Sequence, residues 1–175
     1  MASELHVDSI KDSGGTGNVH MAGAVLQVVQ TVKTDTTSFE STSYTDVTGV
    51  SVAITPKFAT SKVLVQVSIT GELGDDSWAT HFRLMRGSTP IAIGDAAGSR
   101  TQASFSIDSY GAGSLSIVSA HFHFLDSPST TSATTYKLQG LSGDGIFYVG
   151  RNQGDSNGFE NARVPTVITA MEIGQ

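Results

Sequence analysis

Between Lys62 and Thr70 the chain reads KVLVQVSIT, with Val63, Val65, Val67 and Ile69 at every second position and Lys62, Leu64, Gln66 and Ser68 between them. Only an extended strand sends alternate side chains to opposite faces, so this segment has one face for a core and another for the outside. Strand signals separated by turn residues recur along most of the chain. Strands are predicted at Val25–Lys33, Thr45–Ile54, Lys62–Thr70, Ser77–Arg86, Ile91–Ile93, Thr101–Ser106, Ser114–Leu125, Tyr136–Leu141, Ile146–Arg151 and Pro165–Ile173. Within Ser77–Arg86, Trp78, Phe82 and Leu84 share one side, and His81, Arg83 and Met85 the other. The stretch Ser142-Gly-Asp-Gly145 carries the glycines of a tight turn and predicts a hairpin between the strands around it. No segment holds the 3.6-residue apolar period of a helix. Many short strands and no helix predict an all-β fold, an antiparallel β-sandwich of jelly-roll type.

A chain of 175 residues with 38% hydrophobic content has enough apolar side chains for one compact domain. Charged residues are only 15% of the total, against about 25% in ordinary soluble domains, and Ser and Thr carry much of the polar surface. The formal net charge of -6, with no cluster of Lys and Arg, argues against a nucleic-acid partner, because phosphates must be neutralised. No run of eighteen apolar residues and no basic-then-apolar opening occurs, so neither membrane insertion nor an export signal is expected. Cysteine is absent, which removes disulfides and thiolate metal sites. Stability must then come from packing, to which association between chains could add.

Residues 1–24 differ from residues 25–175. They are short of large apolar side chains, and GGTGNV within them has the look of a dinucleotide loop. Such a loop needs a buried strand before it, a third glycine and a helix after it. Here the third position is His20, the preceding residues alternate with polar ones, and AGAVLQVVQTV crowds β-branched residues that favour a strand. The glycines Gly14, Gly15 and Gly17 therefore read as a hinge. The segment before them reads as an extended docking arm with apolar beads at Leu5, Val7 and Ile10, and residues 25–175 as a β-sandwich knob.

Side chains with chemical potential are scattered. His121-x-His123 puts two imidazoles on one side of a strand, opposite Phe122 and Phe124, so both could reach one metal. Asp75-Asp76 lies between Gly74 and Ser77, a setting typical of turns rather than of a paired-carboxylate site. Asp95 and Asp155, with Asn152 and Asn157, offer oxygen ligands of the kind calcium takes in loops. No G-x-S-x-G elbow is present. Neither catalysis nor an organic cofactor is expected.

The opening SELHVDSIKDSGGTGNV, followed by AVLQVVQTVKTDTTSFESTSYTDVTGVSVAITPKFATSKVLVQVSITG, resembles short structural proteins of tailed bacteriophages, notably marine ones. RGSTPIAIGDAAGSR, FLDSPSTTSATTYKLQ and the closing VPTVITAMEI are similar to the same group, so the resemblance spans nearly the whole chain. It implies a homotrimeric β-sandwich knob on the virion surface, assembled in the bacterial cytoplasm. The implied partners are other virion proteins, the major capsid or a tail protein, and for a tail-fibre tip a host-surface glycan or protein. His121 and His123 also resemble the HxH sites on the threefold axis of some phage tail-fibre tips, which implies one divalent ion shared by three chains.

Overall fold

The computed structural model describes residues 22–74, 78–108, 116–143 and 145–175. Among them there are eleven strands and no helix. The strands are β1 (Val25–Lys33), β2 (Thr37–Phe39), β3 (Thr45–Ile54), β4 (Lys62–Leu73), β5 (Ala79–Arg86), β6 (Thr89–Ile91), β7 (Phe105–Asp108), β8 (Val118–Asp126), β9 (Thr134–Leu141), β10 (Phe147–Val149) and β11 (Thr166–Ile173). Eight of them form the frame, and their pairing is that of one long hairpin. The first pairs with the last, β1 with β11; then β3 pairs with β9, β4 with β8, and β5 with β7, all antiparallel. Rolling that ribbon up adds β11 against β4 and β9 against β5. The result is one sheet with β1-β11-β4-β8 across it and a second with β3-β9-β5-β7, the jelly-roll arrangement. β2 and β10 extend the first sheet beside the end of β4, and β6 extends the second beside β5.

The alternating segments bury the face their period assigns. Val63, Val65, Val67 and Ile69 from the first sheet meet Val52, Ile54, Phe82, Leu84, Tyr136 and Leu138 from the second in one core. At about 1.5–3 kcal/mol for each fully buried aliphatic or aromatic side chain, this layer supplies most of the driving force for folding. Phenylalanines close the space between the sheets: Phe82 stacks on Phe105 at 5.0 Å and Phe105 on Phe122 at 5.4 Å, while Phe39 and Phe147 pack edge-on to Phe82. Two glycines make room for these rings. A Cβ on Gly140 would strike the Phe39 ring, and one on Gly71 would strike the carbonyl of Tyr148 and the ring of Phe147.

Two short predicted strands shift, Ile91–Ile93 to Thr89–Ile91 and Thr101–Ser106 to Phe105–Asp108, and three expectations about pairing and facing give way. Ser142–Gly145 is not a hairpin, because β9 lies in one sheet and β10 in the other. Gly143 does adopt a positive φ of 63°, as a tight turn requires, but the chain crosses between sheets there and is held by the Ser41 carbonyl, which accepts from the Ser142 and Gly143 amides. Glycines mark where a chain turns, not which strands pair afterwards. Trp78 does not share the buried side of Phe82 and Leu84; it precedes β5 and is 72% exposed. Met85, expected outside, is only 3% exposed, though it lies apart from the main core.

Candidate functional site

β8 presents the histidines. Its odd-numbered residues face out and its even-numbered ones face in, so Phe122 and Phe124 pack on the core while His121 and His123 are exposed. β8 pairs with β4 along its whole length and, among the described residues, with no other strand, which makes it an edge. His121 sits opposite Ser68 and His123 opposite Gln66, with Val167 and Thr169 of β11 beyond. Together they border an open depression of about 250 Å³. One chain therefore brings two imidazoles to this surface. No group of three or more His, Cys, Asp or Glu suited to a metal exists among the described residues, so an ion here would need further ligands from outside them.

The registers of four strands build a larger feature around that depression. Val28 of β1 lies opposite Met171 of β11, Met171 opposite Leu64 of β4, and Leu64 opposite Leu125 of β8. These outward residues form one apolar row across the whole sheet, with Val28 55% and Leu125 46% exposed at its ends. The next row outward is neutral and polar, Gln30, Thr169, Gln66 and His123, with the Gln30 amide donating to the Thr169 hydroxyl at 2.9 Å. A third row is Val32, Val167, Ser68 and His121. No Asp, Glu, Lys or Arg stands in these rows. Sequence reasoning placed Leu64 on the face of its strand opposite Val63, Val65 and Val67 but could not find the row, because the row exists only once strands far apart in the chain are in register.

The outer face of the second sheet is different. Lys137 and Gln139 of β9 both donate to Asp46 of β3, at 2.7 and 2.6 Å, and hold its carboxyl below the usual carboxylate range. Arg83 donates to Gln139 at 2.8 Å and lies over the Tyr44 ring at 4.1 Å. His81 and Ser106 are cross-strand neighbours whose Nδ1 and Oγ are 2.6 Å apart. That hydroxyl–imidazole pair stands on an open strand face, where such pairs ordinarily tie two strands together. On this face Asp46, Lys137, Gln139 and Arg83 satisfy one another, and His81 pairs with Ser106.

Buried carboxylates hold the frame in shape. Asp126, at the end of β8, accepts from Tyr136 at 2.7 Å and from Arg86 at 2.9 and 3.0 Å, bridging the open side of the sandwich. Burial first, and the Asp126 carboxylate second, push the Tyr136 phenol well above its ordinary range. Burial alone would raise Glu172, yet donors from the Gln27 amide and the Lys57 and Phe58 backbones leave it below the ordinary glutamate value. Glu72 accepts from the backbones of Ser116 and Gln153 and pins two loops.

The remaining predicted sites do not converge. Asp155 faces Arg163 and Arg151, and Asn152 is buried with its side-chain Oδ1 accepting from the Asp155 backbone amide, so ion pairs and that hydrogen bond tie this loop together. Asp95 is exposed in a separate loop between β6 and β7. Asp75 and Asp76, the arm residues Leu5, Val7 and Ile10, and the hinge glycines Gly14, Gly15 and Gly17 lie outside the described residues. Compared with protein-family models and with curated proteins, the chain matches none.

Proposed function

We propose that this chain is a non-enzymatic structural protein of a bacteriophage virion, a capsid decoration or head-fibre knob. In this reading residues 25–175 form the knob of a homotrimer on the virion surface. Residues 1–24 anchor it, with Leu5, Val7 and Ile10 seated in apolar recesses of a capsid or tail protein and Gly14, Gly15 and Gly17 letting the arm turn. The observation that carries the reading is the outward row Val28–Met171–Leu64–Leu125: a contiguous apolar band across the outer face of a sheet is a surface suited to being covered. A core filled by phenylalanine rings, with the imidazoles of β8 outside it, also favours a building block over a ligand-binding barrel. The jelly roll is common among capsid and lectin domains, which agrees with the reading without deciding it.

A second reading is a tail-fibre or receptor-binding tip, favoured by Trp78, whose broad ring is 72% exposed and suits stacking on a host glycan. Gold labelling of intact particles with an antibody to the knob separates the two. Label distributed over heads is expected; label confined to tail tips would favour the second reading, and particles without label would overturn both.

A further inference from the structure

We propose that the outer face of β1-β11-β4-β8 is where copies of this chain pack on one another, sheet against sheet. This deepens the trimer above by naming its contact surface, and it rests on that reading for its stoichiometry. Charge singles out the occupant. The molecule carries a net -6, yet the three outward rows of this face hold no carboxylate and no Lys or Arg. Two copies can therefore meet here without like charges opposing each other, whereas a partner steered by charge would find nothing to read. The opposite sheet offers no such approach, since Asp46, Lys137 and Arg83 already engage one another or their neighbours there.

Size sets how far the contact must reach. Four strands about 4.8 Å apart and the five residues spanned by the three rows, at about 3.3 Å each, outline an uncharged patch on the order of 300 Å². A stable protein interface buries about 800 Å² per partner, so this patch is the centre of a contact that also takes in the adjoining row of Ile173 and Lys62 and the ends of the strands.

The test is the mass of the full chain by light scattering at micromolar concentration, for the wild type and for Val28→Lys/Leu125→Lys, with Phe159→Lys as a control on an exposed loop. The wild type and the control should run at three times 18.2 kDa, and the double variant at 18.2 kDa with an unchanged β-type circular dichroism spectrum. A monomeric wild type, or a double variant that keeps the wild-type mass, would overturn the proposal. Should the double variant misfold, peroxide oxidation of Met171 in the wild type replaces it. Its rate should fall several-fold as concentration rises through association, and a constant rate would count against the face. Particles lacking the protein would sink the virion reading while leaving these masses untouched.

Discussion

Single residues in this protein matter most where a charge is buried. Asp126 serves Tyr136 and Arg86 at once, and Tyr136 has no access to water with which to replace it. Tyr136→Phe should cost about 1–2 kcal/mol. Asp126→Ala should cost more, about 2–4 kcal/mol, because it leaves a buried hydroxyl without a partner. Urea unfolding measures both, and an Asp126→Ala protein within about 0.5 kcal/mol of wild type would dismiss the network. Glu172 gives a pH signature. Its pKa is depressed in the folded protein, so its contribution is present above the unfolded value of about 4.3 and is lost as pH falls through the folded value. Glu172→Gln should therefore be the less stable protein at pH 7, with the gap narrowing below about pH 4. A gap that stays constant down to pH 3 would contradict that assignment.

Elements were legible in proportion to their length. β1 and β3 begin and end where their patterns say, and β4 runs only a few residues past its predicted end. β2 was not legible, because three residues carry no period; they form a strand only because β10 lies alongside. The Ser142–Gly145 turn was visible but its consequence was not, since the identity of the next pairing partner depends on how the whole ribbon rolls. The candidate site divides along the same line. Parity alone placed His121 and His123 outward, whereas the apolar row needed the register between β1 and β11, set at opposite ends of the sequence. The tightness of strand packing is testable at Gly140. Gly140→Ala drives a methyl into the Phe39 ring and should cost about 1–3 kcal/mol, while Gly94→Ala, whose nearest neighbour would be the Ala103 carbonyl at 3.9 Å, should stay within about 0.5 kcal/mol of wild type. Equal melting temperatures for the two would show that the ring moves aside freely.

At the scale of the molecule, the frame and the arm are proposed to have separate tasks, folding and attachment. Among the described residues every fully buried apolar core side chain lies at or beyond Val47, and Val29 of β1 and Phe39 of β2 pack at its margin. Deleting residues 1–20 should accordingly leave a soluble β-rich protein with a cooperative melt that no longer joins particles. At about 3.3 Å per residue, residues 1–24 can extend on the order of 80 Å, enough to cross a neighbouring subunit. A truncated protein that still decorates particles at full occupancy would move the anchor to the knob. Beneath these details stands the claim that the chain is built into a virion in fixed number. Quantitative mass spectrometry of gradient-purified particles tests it most directly. The account predicts that the chain co-purifies at a constant ratio to the major capsid protein through successive gradients and high-salt washes; a ratio that falls with each step towards zero would contradict it.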